Sequence, residues 1–422
     1  MLETLKIMTS DLEVGMFISA LDRPWLETPF LIQGFRLETR EQIDSLQKHC
    51  EYVLIDTRQS QQKPAALHRK VRTERRRVEL ATIFKDRALQ TYQDNSEFVE
   101  EAPRAVLALD SLLVDIDDIF GQVREKGRFN AIQLKKSVDP IIDSISRNPD
   151  ACLWIARMKQ HDKYTYQHSL GASIWAVSMG RQLGLPKHDL RSLGMGAMLM
   201  DVGKLRLAPE LLQAGEALTP DQADEMRGHV AHGLEIIEES GIINPDVINM
   251  VGYHHERYDG SGYPHGLARD EIPPVARIAA IVDAYDAMTS QRSYAKAQSP
   301  SHAIKQLYEA RDTSFQAELV EAFIQAVGIY PPGSLVELSS GEVGVVVAEA
   351  RTRRLRPRVL VLLDVDKNPI PYPKTVDLQA QQDEASPMAC TIVRGLDPEA
   401  YDVDLSTIDL YTETPQPLDG MR

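Results

Sequence analysis

The sequence predicts a multidomain, mainly α chain: a helical metal-binding domain in the middle, a small α/β domain before it, and a small β-rich appendage after it. Three observations carry that prediction. The 422 residues exceed what one ordinary core organises, so two or three domains are expected. The apolar period changes along the chain, from short runs broken by turn residues to long helical repeats and back to short runs. Histidines and aspartates gather in the helical third at His168, Met200-Asp201, His229, His254-His255 and Asp283.

Residues 1–60 hold the runs Gly15-Met16-Phe17-Ile18, Phe30-Leu31-Ile32 and Tyr52-Val53-Leu54-Ile55-Asp56, which read as strands of a small domain. Ile43, Leu46 and Cys50 recur at spacings of three and four, predicting one helix packed on it. Residues 61–149 read as linker and connector helices. The stretch from Gln59 to Lys70 is polar and basic with Pro64, and the charged run Arg69 to Arg77, poor in aromatics, reads as a solvated helix face. From residue 74 to about 147 helical periodicity runs without glycine until Gly121, predicting one or two long helices that serve as spacer or as the seam of a homodimer. Residues 150–328 are helix-rich, with turns at Gly184-Leu185-Pro186, at Thr219-Pro220-Asp221 and from Asp259 to Pro264. Residues 329–422 form the β appendage: strands over Ser334–Leu338, Gly344–Ala348 and Val359–Leu363 follow Tyr330-Pro331-Pro332-Gly333.

A net charge of −15 argues against nucleic acid or an anionic membrane as partner, since both need basic surface. The three cysteines, Cys50, Cys152 and Cys390, lack the spacing of a zinc ribbon or a disulfide framework. No apolar signal core and no long uninterrupted apolar window is present, so a cytoplasmic protein without a membrane span is expected.

A single histidine on a helix is more often core or surface filler than a ligand; here the set carries the argument. Paired imidazoles at His254-His255 run into Glu256-Arg257-Tyr258-Asp259-Gly260-Ser261-Gly262-Tyr263-Pro264, a glycine-rich loop able to fold over a site. With Tyr164-Thr165-Tyr166-Gln167-His168-Ser169, Met200-Asp201-Val202-Gly203-Lys204, His229, Ala276-Arg277-Ile278 to Asp283, and Ser290-Gln291-Arg292-Ser293-Tyr294, residues 150–328 resemble the HD-GYP domain of the HD phosphohydrolase superfamily. Residues 1–60, through Asp22 to Phe30, resemble a domain of unknown function often fused to it.

The resemblance implies a cyclic di-GMP phosphodiesterase working through a bridging hydroxide at two divalent transition-metal ions, Fe or Mn before Ni or Zn, and yielding pGpG and onward GMP. It implies a first metal on His168, Asp201 and Asp283, and a second on Asp201, His229, His254 and His255. Lys204 and Arg292 would hold the phosphate, Asp201 and Lys204 would serve catalysis, and Tyr263 would shape the rim. It also implies biofilm and motility signalling, with diguanylate cyclase domains as partners. The sequence departs from the family at Met200, where the His of the His-Asp pair is a thioether, a soft donor ill suited to a hydrolytic metal. Tyr164 stands where some members place a third-metal Glu, and Ala295 where a basic residue is frequent, with Lys296 next to it. His161 and His232 read as ordinary surface residues. A different nucleotide substrate, or a weakened domain that binds cyclic di-GMP and signals through protein partners, are the alternative readings.

Overall fold

The structure, a computed structural model, describes residues 4–23, 35–56, 60, 80–158, 164–212, 218–291, 296–348, 356–378 and 390–403. The chain divides into two compact units, residues 1–78 and 79–422. The predicted run at Phe30-Leu31-Ile32, the basic stretch at 69–77, and His161, Arg292, Tyr294 and Ala295 lie outside the described residues.

In the first unit, strands β1 (Thr4–Met8), β2 (Phe17–Leu21), β3 (Phe35–Arg36) and β4 (Tyr52–Asp56) form an antiparallel sheet of order β1-β4-β2-β3. Helix α1 (Arg40–His49) begins at Thr39, whose hydroxyl accepts from the Gln42 amide while Gln42 reaches back to Thr39. That reciprocal cap contributes about 1 kcal/mol and fixes the phase that turns Ile43 and Leu46 inward. They join Ile18, Leu37, Val53 and Ile55 in a dry core.

The second unit starts with α2 (Leu80–Ile83), and residues 84–97 contain no helix, so the helical period read from residue 74 is broken over that stretch and resumes at Phe98. Tertiary bonds hold this passage: Arg87 is ion-paired to Asp189 and Asp246, and the Tyr92 hydroxyl donates to the Leu185 carbonyl (2.8 Å). Helices α3 (Phe98–Lys126) and α4 (Ala131–Arg147) form an antiparallel hairpin, and α5 (Pro149–Met158) follows. The remaining helices are α6 (Tyr164–Gln182), α7 (Lys187–Leu199), α8 (Pro209–Leu212), α9 (Pro220–Arg227), α10 (His229–Glu239), α11 (Pro245–Tyr253), α12 (Pro274–Thr289), α13 (Pro300–Glu309) and α14 (Ala317–Val327).

Helices α6 and α12 are apolar on nearly every side. Ile174, Trp175 and Val177 are buried on the first, Ile278, Ile281, Val282 and Tyr285 on the second. A helix without a polar face belongs inside a bundle, and these two pack against each other there. His168 and Ser173 on the first and Asp283 and Asp286 on the second are therefore held away from water. No helix among the described residues is long and apolar enough to cross a membrane.

Strands β5 (Leu335–Leu338), β6 (Val343–Ala348), β7 (Arg358–Leu363), β8 (Pro369–Asp377) and β9 (Ile392–Gly395) make an antiparallel sheet of order β8-β7-β6-β5-β9. Its edge strand β9 meets the start of α13. The Ser299 amide donates to Asp397 (2.8 Å), and a Cβ on Gly395 would lie 2.3 Å from Ser301 Oγ.

Candidate metal centre

His168 sits on α6, one flank of the bundle core. Its Nδ1 lies 2.8 Å from Asp286 Oδ2, and since a carboxylate only accepts, that nitrogen carries the proton. Nε2 is thereby turned, lone pair first, toward Asp201 Oδ2 (3.2 Å) and Asp283 Oδ1 (3.3 Å). Asp283 and Asp286 both come from α12, one turn apart on the same face. Asp286 also accepts from Trp175 Nε1 (2.9 Å) and the Ser290 hydroxyl (3.1 Å), so its carboxylate is locked by three donors. The sequence reading missed Asp286; its spacing from Asp283 was the available signal.

Asp201 follows Met200 at the end of α7, just before the 3₁₀ turn Val202–Arg206. The turn can approach α10 only because residue 203 is glycine: a Cβ there would lie 1.9 Å from the His229 carbonyl oxygen and 2.5 Å from the Gly233 nitrogen. This contact sets Asp201 beside His229, the first residue of α10. His254 closes α11, and His255 follows it.

The tautomers of His229 and His254 are fixed in the same manner. His229 Nδ1 lies 2.7 Å from the Met226 carbonyl, and His254 Nδ1 lies 3.0 Å from that of Val251. Carbonyls accept only, so each ring carries a proton on Nδ1 and its neutral tautomer is the one with a bare Nε2; the two Nε2 atoms face one another at 3.3 Å. Asp201 Oδ1 lies 3.4 and 3.7 Å from them, is buried, and makes no hydrogen bond among the described residues. Burial holds the His229 imidazole down to about 4, so that ring brings no Nε2 proton to the contact near neutrality. Converging lone pairs and a buried carboxylate oxygen are costly unless a cation lies among them. The donor set fits a divalent transition metal, with imidazole and carboxylate donors of the preferred kind.

Donor atoms of Asp201, His229, His254 and His255 lie within 4.8 Å of one another, as do those of His168, Asp201 and Asp283. Asp201 belongs to both groups, with Oδ1 toward one and Oδ2 toward the other. Burial opposes ionisation of this carboxyl, but the Lys204 charge and the His168 and His254 rings prevail and hold it well below the usual carboxylate range. Asp283 is likewise depressed against burial, by the His168 hydrogen bond and by His255. Burial, then His254, keeps His255 neutral. Met200 is fully buried, and the group of His168, Asp201 and Asp283 holds three donors against four in the other.

Lys204 Nζ lies 2.5 Å from Asp201 Oδ2 and is partly exposed. Tyr263 stacks on His255, with ring centroids 4.6 Å apart and planes at 24°. The buried Glu256 carboxylate accepts from the His265 (2.8 Å) and Leu267 (3.0 Å) amides and ties the loop down. At Gly262 a Cβ would lie 2.4 Å from the Arg257 nitrogen, so the loop passes close over the His255 segment only with glycine there. His232 is outside both groups, beside Glu235 (3.7 Å), and Arg292 lies outside the described residues.

Residues 151–319 match the HD domain family, residues 4–133 a domain of unknown function (DUF3391), and residues 335–403 a KOW domain associated with HD domain. Cyclic di-GMP phosphodiesterase PA4108 of Pseudomonas aeruginosa is 32% identical over 377 residues, 88% of each chain. Cyclic di-GMP phosphodiesterase response regulator RpfG of Xanthomonas campestris is 36% identical over 148 residues, 35% of this chain and 39% of that one. A 3'3'-cGAMP-specific phosphodiesterase 3 of Vibrio cholerae is 29% identical over 168 residues, 40% of this chain and 36% of that one.

Proposed function

The chain belongs to the HD-GYP family of phosphodiesterases, and from that premise we propose that it hydrolyses cyclic di-GMP to pGpG, and onward to GMP, at a two-cation centre. The observation that carries the reading is the convergence of the His229 and His254 Nε2 atoms on a buried, unbonded oxygen of Asp201. His229, His254, His255 and Asp201 would hold one ion; His168, Asp283 and the other oxygen of Asp201 would hold a second. Two divalent cations, when bound, supply Lewis acidity toward phosphoryl oxygens and an acidified water. Fe or Mn suits the mixed imidazole and carboxylate donors.

The protein's own residues have distinct tasks. Asp286 keeps His168 in the ligating tautomer, and the Met226 and Val251 carbonyls do the same for His229 and His254. Lys204, already against Asp201, offers further ammonium protons to a phosphate oxygen, where its charge stabilises negative charge that grows during displacement. Arg292 is assigned to the same phosphate on the family resemblance. Tyr263 covers His255 and shapes the rim.

Met200 favours a second reading, because a thioether stands where the family resemblance puts a histidine of the His168 group, which has three donors against four in the other. A weakened domain would bind cyclic di-GMP and signal through a partner such as a diguanylate cyclase domain. Elemental analysis of anaerobically purified protein, with cyclic di-GMP turnover after Fe or Mn loading and Asp201→Ala as control, separates the two. About two ions and turnover dependent on Asp201 support the enzyme; one ion or none, with cyclic di-GMP bound and uncut, supports the receptor.

A further inference from the structure

One cation at the rim of the centre has no task in that account. Arg227 ends α9, two residues before His229, so the backbone fixes it to the metal cluster. Its guanidinium carbon lies 5.4 Å from the centroid of the Tyr263 ring, and Tyr263 in turn stacks on His255 at 4.6 Å. An arginine, a tyrosine and a candidate ligand thus form one continuous stack from the surface to the centre. The side chain is 56% exposed, and its ion partner is Asp224 (2.7 Å), itself 71% exposed and one helical turn away. A pair that open to water holds little stability and yields readily to a better anion. The tyrosine face pre-orients the guanidinium and leaves its donors free to turn outward.

A cyclic dinucleotide carries two phosphodiesters on opposite edges of its ring. When one is held at Asp201 and Lys204, the other points away from the centre and needs its own counter-charge, in a chain whose net charge is −15. We propose that Arg227 forms the subsite for the second, uncleaved phosphodiester of the substrate, braced by Tyr263. The inference rests on the reading that the substrate is a cyclic dinucleotide. Guanidinium and phosphate match in charge and in paired hydrogen-bond geometry. The guanidinium could instead meet the guanine edge, which also accepts two hydrogen bonds, and the test separates these sources.

The test is calorimetric titration of metal-loaded full-length protein with the bisphosphorothioate analogue of cyclic di-GMP, which keeps both charges and resists cleavage. Arg227→Gln is expected to weaken binding about tenfold, equal to about 1.4 kcal/mol. Arg227→Lys, which keeps the charge, is expected to lose less than about threefold, under half that energy. Elemental analysis should show unchanged metal in both variants. Equal affinity of wild type and Arg227→Gln overturns the subsite, as does metal loss in both variants, which would place the residue in service of the cluster. A loss on Arg227→Gln that disappears with the 7-deazaguanine analogue, which lacks one acceptor of the guanine edge, assigns the side chain to the base and overturns the phosphate subsite. A wild-type protein that binds no analogue sinks the functional reading, and the subsite with it.

Discussion

Replacing Asp286 by asparagine tests how the candidate centre is held together. The native carboxylate accepts three hydrogen bonds, from His168 Nδ1, Trp175 Nε1 and Ser290 Oγ, at 2.8, 2.9 and 3.1 Å. Asparagine offers one accepting oxygen and one donating amide. If the amide faces Trp175, the buried indole N–H loses its acceptor, at a cost of about 1–3 kcal/mol. If it faces His168, the ring must take the other tautomer, and a proton then sits on the Nε2 that points at Asp201 and Asp283. That tautomer cannot ligate, so affinity at the His168 group should fall about 10–100-fold. The measurement is metal titration by calorimetry or competition with a chromogenic chelator, beside urea unfolding in chelator. Trp175→Phe is the companion, since it removes the indole bond and leaves His168 untouched. It should cost stability with little change in metal affinity. Wild-type metal affinity together with wild-type stability in Asp286→Asn would refute the argument that this carboxylate holds both His168 and Trp175, since asparagine must fail one of the two.

Further outcomes are expected. Met200→His should supply an imidazole donor next to Asp201 and raise the metal count by elemental analysis toward two per chain; an unchanged count would show that residue 200 does not limit loading. Gly203→Ala forces a methyl to within 1.9 Å of the His229 carbonyl oxygen, so a loss of at least about 1–3 kcal/mol in urea unfolding and impaired metal binding are expected, and wild-type behaviour would contradict the close approach. For the metal-free protein, His229 falls from 6.5 to about 4 on folding, so the unfolded chain binds more protons between those values and stability drops as pH falls through that window. Unfolding in chelator at pH 7 and pH 5 should differ by about 2 kcal/mol from this group, with the acidic sample weaker; a flat profile would count against a neutral, buried His229.

The candidate ligands were legible because their chemistry is carried by residue type and spacing, and the adjacent pair His254-His255 and the glycine-rich loop need no tertiary knowledge. Asp286 was not, because its role appears only when α12 packs on α6 and brings it to His168 and Trp175. Arg227 was hidden for the same reason, as its meaning depends on where Tyr263 lands. Apolar periodicity also misled ahead of Phe98, where ion pairs of Arg87 hold the chain without helix. Of the C-terminal strands, β5 to β7 were visible as apolar runs. Strand β8 was not: Pro369, Pro371 and Pro373 argue against a strand, and the sheet accommodates them only by placing β8 at its edge.

One carboxylate, Asp201, faces both donor groups, one oxygen to each. Under the proposed assignment the two ions cannot be independent ligands of the protein. Occupancy of one position alters the charge and orientation that the other meets, and thermodynamic linkage makes the effect reciprocal. On the family resemblance residue 200 would serve a single position, yet what it does there must be felt at both. Titration curves for this centre are therefore read as a coupled pair, with a coupling energy of their own, and a change at either end of the shared carboxylate moves the whole curve.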